Sequence, residues 1–195
     1  MDSKKDLTKQ LLADCFRELM QSTAFDKITI KMITDSAGLI RPTFYKHFQD
    51  KYEILEWIFR TDIAAKVDLL IENRMETDAV VMFCRCLDQD RRFYRRAYQM
   101  EPGPNSFESI LSGYIRKWFL KATEQSEPRF IRNYPSFTRE TVVLFYTNGF
   151  TSAIRDWFFS DSQVSAEDLA AFLTHLLTHS FTDLFDSNTP PGTHT

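Results

Sequence analysis

The chain contains 195 residues, of which 43% are hydrophobic, and its formal net charge is −3 at pH 7. That length and apolar content are enough to bury a core, so we expect the chain to fold unaided. The small net charge excludes a protein that attracts nucleic acid over its whole surface, as a histone does. The start MDSKKDLTKQ lacks the apolar region of a signal peptide, and no run of about 18 uncharged apolar residues follows, so we predict a soluble, cytoplasmic protein without a membrane span.

The charge is unevenly distributed along the chain. Residues 1–52 contain nine Lys and Arg against seven Asp and Glu, whereas residues 53–195 contain fifteen against twenty. We call residues 1–52 the head and residues 53–195 the body. A mildly basic head is expected if only the head approaches DNA phosphates. The acidic body would then be repelled by the phosphates, which favours one docking orientation.

Apolar residues recur at helical spacing in nearly every segment, and we find no alternating strand pattern, so the predicted class is all-α with about nine helices. The predicted helices cover, in chain order, residues 3–22, 29–37, 41–48, a segment from 51 into the body, 77–99 with a break near 88–90, 107–123, 138–159 and a last helix after 165. Prolines mark loops at 100–106 and 128–135, and the tail 188–195 is predicted to be disordered.

Residues 29–51 predict two short helices that cross over a tight turn. Thr29 is placed to cap the first helix, and Gly38 supplies the left-handed conformation that ends it. The side chains of Leu39 and Ile40 are predicted to pack into the core and so anchor the turn. This pattern is typical of a helix-turn-helix.

The second helix of this pair is predicted to have one inner and one outer face. Pro42 lies in its first turn, where the missing N–H costs little, and Phe44 and Phe48 lie four residues apart and face inward. The outer and leading surfaces then carry side chains suited to the major groove of DNA. These are Arg41, Pro42, Thr43, Tyr45, Lys46 and His47.

Several residues of this segment resemble the signature of the Tet repressor (TetR) family of transcription regulators: Ala37-Gly38-Leu39, Thr43-Phe44-Tyr45, and Phe48 with Lys51 and Leu55. The resemblance implies a three-helix DNA-binding domain at residues 1–52 and a helical ligand-binding and dimerisation domain at 53–187, followed by the tail. It also implies a homodimer that binds a palindromic operator in double-stranded DNA.

Carried over position by position, the resemblance assigns roles to eight residues: base contacts to Arg41, Pro42 and Thr43, and phosphate contacts to Tyr45, Lys46, His47, Thr29 and Lys51. Ile40 is a departure, because many relatives have Ser or Thr there to cap the recognition helix. We therefore expect the cap to come from elsewhere.

A further set of residues resembles the subgroup of this family that regulates dihydroxyacetone-kinase operons. The set comprises Asp50-Lys51-Tyr52-Glu53, Trp57-Ile58, Phe93-Tyr94-Arg95-Arg96 and Asn105-Ser106-Phe107. Members of that subgroup include activators that work with a second, substrate-sensing protein. The resemblance thus implies control by either a small-molecule effector or a regulatory protein partner.

The two C-terminal helices carry more apolar side chains than the outer helices of a monomer need. A homodimer interface and an ordinary core both explain that excess, and we predict an interface made by Phe145, Phe150, Trp157, Phe172, Leu176 and Phe181. A second group of residues either lines a ligand pocket or belongs to the core with hydrogen-bonded polar tips: Tyr94, Tyr98, Tyr114, Trp118 and Asn148.

The other polar residues carry simpler predictions. Cys15, Cys84 and Cys86 lack the spacing of a disulfide framework or a zinc site and are predicted to be reduced thiols. His175 and His179 have the spacing of a metal-binding pair but no carboxylate at a matching distance, so we predict neither a metal nor a cofactor. The arginines between 91 and 96 are predicted to form a solvated face that pairs with the acids at 88 and 90.

The sequence contains no glycine-rich phosphate loop, nucleophile elbow, HExxH motif or acidic cluster suited to Mg²⁺, so we predict that the protein is not an enzyme. Two functions fit the remaining pattern. The first is a sequence-specific DNA-binding regulator that acts as a homodimer under the control of a ligand or partner. The second is a protein-interaction co-regulator with the same fold that needs another protein to act on DNA.

Overall fold

The computed structural model describes residues 2–125, 136–160, 164–180 and 183, and within these ranges it contains helices and no β-strand. The helices are α1 (Asp2–Ser22), α2 (Ile30–Ser36), α3 (Arg41–Tyr45), α4 (Lys51–Phe59), α5 (Ala65–Glu72), α6 (Glu76–Gln89), α7 (Arg91–Ala97), α8 (Phe107–Ala122), α9 (Arg139–Phe159) and α10 (Ala166–Thr178). A 3₁₀ turn at Phe25–Lys27 precedes α2, and a π turn at Arg60–Ala64 joins α4 and α5 into one continuous rod. The predicted all-α class is confirmed.

Helices α8, α9 and α10 each begin after a residue whose side chain caps the helix. The side chains of Ser106, Thr138 and Ser165 each accept a hydrogen bond from a backbone amide in the first turn of α8, α9 and α10, respectively. Each cap satisfies one of the amide groups that a helix N-terminus leaves without a partner. The predicted starts of these three helices are confirmed.

The predicted break between α6 and α7 is observed, whereas α3 ends earlier than predicted. The break predicted near 88–90 is confirmed, because α6 ends at Gln89 and α7 begins at Arg91. Helix α3 ends at Tyr45, three residues earlier than predicted, because the amides of Lys46 and His47 donate to carbonyls only three residues back. The loop predicted at 128–135 and the tail 188–195 lie outside the described residues.

One buried core runs from the N-terminal helices into the body. Phe16 of α1 lies edge-on to Phe93 of α7, with ring centroids 6.2 Å apart, and both side chains are fully buried. In the same core Tyr94 stacks on Phe107 and Tyr98 lies edge-on to it, and burial raises the pKa of both phenols. These two tyrosines therefore pack in the core, as one of the two alternatives predicted, but their phenol oxygens are not hydrogen-bonded to any of the residues that the structure describes.

Two residues of the predicted dimer interface lie inside the chain instead. Phe150 packs edge-on to Phe119 at 5.0 Å, and only 6% of its surface is exposed. Trp157 is 3% exposed, stacks under the Arg91 guanidinium at 3.9 Å and donates its indole N–H to the Val164 carbonyl at 2.8 Å. Both face the body because α9 buries one side along its whole length. Phe181 lies outside the described residues.

The arginine-rich segment has more specific contacts than a solvated face would make. Arg91 pairs with Asp88 at 3.3 Å as predicted, but it also donates to the Trp157 carbonyl. Asp90 pairs with Arg17 of α1 rather than with the neighbouring arginines. The acid at the break thus connects the body to α1.

Other predicted features can be located directly. The three cysteines are buried and free, and burial raises the pKa of the Cys84 thiol to about 12. His175 and His179 are exposed and stacked at 3.7 Å, and no cluster of three or more metal-ligating side chains occurs in the described part of the chain. None of the helices in that part is long and apolar enough to cross a bilayer.

Gly38 gives a first test of the fold, because its φ of 64° lies in the left-handed region. A Cβ added there meets no atom within 4 Å, so only the backbone conformation opposes a larger residue. We expect Gly38→Ala to lower the free energy of unfolding by about 1–2 kcal/mol in urea denaturation followed by circular dichroism.

The matched control is Gly113→Ala in α8, where the added methyl group also has open space. Alanine is favoured over glycine inside a helix, so this change should raise the free energy of unfolding by about 0.5–1 kcal/mol. Shifts of the same sign for both variants would contradict the role given to the Gly38 conformation.

Candidate nucleic-acid interface

The turn between α2 and α3 is held by backbone hydrogen bonds and a buried hydroxyl. Gly38 turns the chain, and the Leu39 amide then donates to the Thr34 carbonyl at 2.8 Å. Thr34 is itself buried, and its hydroxyl donates back to the Ile30 carbonyl at 3.0 Å. The two helices therefore meet at a fixed angle without a polar group left unsatisfied at Thr34.

Helix α3 is fixed by two buried phenylalanines. Phe44 and Phe48 are 0% and 1% exposed, and their ring centroids lie 6.0 Å apart. Phe48 in turn packs edge-on to Trp57 of α4 at 6.0 Å, and the Lys9 ammonium of α1 lies 5.3 Å from its ring centroid. These contacts tie α3 to α1 and α4, so its outer face has one orientation.

That outer face displays most of the residues predicted to contact DNA. Arg41, Pro42, Tyr45 and Lys46 are exposed, whereas Thr43 and His47 are half-buried. The structure thus brings six of the eight predicted residues together on α3 and the turn that follows it.

Thr29 lies at the start of α2, where its side chain is exposed. Its hydroxyl oxygen accepts a hydrogen bond from the Met32 amide at 3.2 Å, which confirms the predicted cap. A residue at this position presents both a hydroxyl group and the N-terminus of a helix to an approaching phosphate.

Ile40 is placed differently from the prediction. Ile40 is the N-cap residue of α3, but its side chain makes no capping hydrogen bond because it has no polar atom. It does not pack into the core as predicted, since 67% of its surface is exposed. Leu39 alone packs partly against the core. The exposed isoleucine adds an apolar group next to Arg41.

Lys51 has a structural environment that its sequence position did not reveal. Its ammonium donates to the carbonyls of Phe25, Asp26 and Ile28 at 2.8, 3.2 and 3.0 Å and lies 4.5 Å from the Phe25 ring centroid. Burial lowers the pKa of this ammonium, and the nearby Asp26 only partly compensates. All three ammonium hydrogens have protein acceptors, so the group closes the turn before α2 instead of facing outward.

The two carboxylates that follow α3 in the chain, Asp50 and Glu53, accept hydrogen bonds from backbone amides. Asp50 accepts from the amides of Tyr52 and Glu53 at 2.9 Å, and Glu53 accepts from the Gln49 amide at 2.5 Å. Both acids therefore serve the start of α4 and lie where a helix N-terminus stabilises negative charge. Arg41 and Lys46 dominate the charge of the exposed α3 face.

The body carries an apolar cavity of about 200 Å³ between α5, α6, α8, α9 and α10. Its lining includes Phe83, Ile115, Trp118, Phe119 and Phe150. Of the residues predicted either to line a pocket or to join the core, Trp118 borders this cavity. Asn148 instead borders a groove between α8 and α9, and Tyr114 is half-buried.

The outer sides of the last two helices expose large apolar side chains. Phe145 of α9 is 74% exposed and Phe172 of α10 is 54% exposed, with Leu144 beside Phe145. Leu176 is half-buried. Where such side chains form a contiguous patch, the patch is typical of a protein contact surface.

Two family models match the chain. One, described as bacterial regulatory proteins of the tetR family, matches residues 17–58, and the other, described as a transcriptional regulator C-terminal region, matches residues 77–179. The two matches include the helix-turn-helix and most of the body.

The chain is also similar to individual regulators. The HTH-type dhaKLM operon transcriptional activator DhaS of Lactococcus lactis subsp. lactis (strain IL1403) is 31% identical over 98 residues, which are 50% of this chain and 52% of that relative. The chain thus matches about half the length of this curated relative. A solved structure named "Dihydroxyacetone kinase operon activator DhaS" superposes with a TM-score of 0.64 over 87% of this chain and 93% of the other, at 22% identity, which shows the shared fold.

The environment of Lys51 predicts a loss of stability on substitution. Lys51→Met keeps the apolar stem but removes the donor from three carbonyls, so the free energy of unfolding should fall by about 1–3 kcal/mol in urea denaturation. Lys46→Met is the control, since Lys46 is exposed, and should stay within about 0.5 kcal/mol of the wild type. An unchanged stability of Lys51→Met would show that its hydrogen bonds contribute nothing net.

Proposed function

Because the chain belongs to the TetR family of bacterial transcriptional regulators, we propose that it acts in the cytoplasm as a homodimer on a palindromic operator. The protein is a regulator and not an enzyme. The observation that carries the proposal is α3 itself, a short helix anchored by Phe44 and Phe48 with Arg41, Tyr45 and Lys46 exposed on its outer face. Residues 1–52 would form the DNA-binding unit, and residues 53–187 the unit for control and dimerisation.

Arg41 is the residue we assign to base reading. It lies at the N-terminal end of α3, where a guanidinium can donate two hydrogen bonds to the major-groove edge of guanine. Pro42 and Thr43 follow it in the first turn, and the exposed Ile40 adds an apolar group that suits the methyl group of thymine. These four residues would determine operator preference.

Phosphate contacts are assigned to Thr29, Tyr45, Lys46 and His47. These residues lie around the base-reading residues: on α3, in the turn after it and at the start of α2. Contacts at such positions fix the register of the protein on the duplex without reading bases. We leave Lys51 out of this set, because its ammonium hydrogen bonds are directed at three backbone carbonyls. Its contribution to DNA binding would be indirect, through the turn that precedes Thr29.

A homodimer is supported by the exposed apolar side chains on α9 and α10. Phe145 and Phe172 would lose water-exposed apolar surface on association, whereas Phe150 and Trp157 are already buried and add nothing to an interface. Two identical α3 helices related by a twofold axis would match the symmetry of a palindrome.

Control by a small molecule is supported by the apolar cavity of about 200 Å³ in the body. A cavity of that size accommodates a small apolar molecule, since voids of about 150 Å³ bind benzene. Helix α6 lines this cavity and ends at Gln89, so a bound molecule would lie against a helix that is followed directly by Asp90, the partner of Arg17.

A second candidate function is a co-regulator that needs another protein to act on DNA. The relatives described above are named as activators of a dihydroxyacetone kinase operon, and that name supports activation of such an operon by this chain. Activation requires contact with further proteins, whereas repression by occupancy does not. The behaviour of the pure protein on DNA distinguishes the two candidates.

We expect pure wild-type protein to bind one palindrome selected from random DNA, with strong dependence on salt. Lys46→Met should weaken binding to all sequences and reduce the slope of log K against log salt by about 0.9 for each phosphate that the variant no longer neutralises. Arg41→Ala should instead relax base preference, at a cost of about 1–3 kcal/mol per half-site. Fluorescence anisotropy at several salt concentrations measures both effects.

Lys51→Met is the matched control and should leave the salt slope unchanged, because its ammonium is directed at protein carbonyls. Equal binding of every duplex by Arg41→Ala and by wild type would refute base reading by α3. Specific binding that appears only after a second protein is added would favour the co-regulator.

The dimer surface can be tested with a charge. Phe145→Asp and Phe172→Asp should each convert the dimer to a monomer at micromolar concentration, because a carboxylate buried in an apolar interface pays a large desolvation cost. Leu69→Asp on α5 places the same charge at a side chain that is 60% exposed and should leave the dimer intact. Sedimentation equilibrium gives the mass, and a monomeric wild type would refute the homodimer.

A further inference from the structure

Arg17 of α1 bridges two acidic residues of the body. Its guanidinium pairs with Asp62 through Nη2 and with Asp90 through Nη1, the second contact being 2.5 Å long. The guanidinium carbon Cζ lies over the Phe93 ring, 5.1 Å from its centroid. Asp62 lies in the π turn between α4 and α5, and Asp90 lies at the break between α6 and α7. The Arg17 side chain therefore joins α1 to the π turn between α4 and α5 and to the break between α6 and α7.

Helix α7 adds two further contacts on the same side of α1. Phe93 packs edge-on to Phe16, and the Arg92 guanidinium donates to the Gln21 carbonyl at 3.1 Å. The covalent link between the helix-turn-helix and the body is the α4–α5 rod. The helix-turn-helix is thus held to the body by that rod, by the buried core around Phe16 and Phe93, and by the two ion pairs of Arg17.

The contacts of Arg17 are partly open to water. The side chains of Arg17, Asp62 and Asp90 are 20%, 37% and 32% exposed, and a polar cavity of about 370 Å³ beside them is also lined by Lys66, Cys86 and Gln89. Burial alone lowers the pKa of the Arg17 guanidinium, but the charge and hydrogen bond of Asp62 raise it above its ordinary value, so the group stays charged. Partly buried ion pairs contribute little net stability, because desolvation offsets their attraction. The ion pairs still restrict the orientation of α1 relative to the body.

We propose that Arg17 is a positioning residue for DNA recognition. By bridging Asp62 and Asp90 it fixes the angle between the helix-turn-helix and the body, and in a dimer this angle sets the separation of the two α3 helices. The inference rests on the proposed homodimer and palindromic operator. It assigns to Arg17 no contact with DNA.

The separation of the recognition helices determines which spacing between half-sites can be bound. One inserted base pair moves a half-site by about 3.4 Å and rotates it by about 34° around the duplex. Two DNA-binding units held rigidly in a dimer cannot adjust to both the shift and the rotation, whereas loosely attached units can. The ion pairs of Arg17 should therefore appear in binding data as selectivity for spacing.

The experiment uses the full-length protein and duplexes that carry the selected half-sites at the native spacing and with one or two base pairs inserted or removed. Wild type should lose about tenfold or more in affinity per altered spacing. Arg17→Gln should bind the native spacing more weakly and lose less than about threefold between spacings. Its salt slope should equal that of the wild type, because no phosphate contact is removed.

Two further variants make the result specific. Asp90→Asn removes one of the two ion pairs and should give intermediate selectivity, which decides the matter if Arg17→Gln does not fold. Arg85→Gln breaks the exposed pair with Glu167 in the body, with the same change of charge, and should keep wild-type selectivity. Circular dichroism and thermal unfolding check each fold.

The outcomes separate this inference from the proposed function. Wild-type spacing selectivity in both Arg17→Gln and Asp90→Asn would overturn the positioning role while leaving the dimeric regulator intact. A uniform loss of affinity with a reduced salt slope would also overturn it, because Arg17 would then be a phosphate ligand. A wild-type protein without any spacing preference would refute the paired half-site model itself, and the inference with it.

Discussion

The burial of Phe44 is the interaction on which the DNA-facing geometry depends. An isolated helix of five residues has almost no stability in water, because nucleation costs more than one turn of hydrogen bonds returns. Helix α3 exists because Phe44 and Phe48 insert into a core shared with α1 and α4. The polar residues around Phe44 are oriented by this anchor, and their exposure follows from it.

A similar dependence on a few side chains governs how the helix-turn-helix joins the body. The α4–α5 rod passes through a π turn, a feature that occurs frequently at functional positions in helices. Asp62 of this turn and Asp90 of the α6–α7 break both meet Arg17. Two departures from regular helix thus converge on one guanidinium, and the cavity in the body lies against α6, which ends at one of them.

Local features of this fold could be predicted from the sequence, and long-range ones could not. Gly38 and Thr29 predicted a turn and a helix start because their effects act within a few residues. The carbonyls that Lys51 contacts lie 23 to 26 residues away, and Arg17 meets acids 45 and 73 residues away, so nothing in the spacing pointed to either. Phe150 and Trp157 were assigned to an interface because apolar periodicity shows that a helix face is covered, but not by which partner.

The shortness of α3 has an evolutionary consequence. Phe44 is the only one of its five residues that is buried in the core, and the neighbouring positions 41, 42 and 45 are exposed, with 43 half-buried. Substitutions at those positions change what the helix presents without disturbing the packing that holds it. A duplicated gene with this fold can therefore acquire a new target in a few steps, each of which still yields a folded protein.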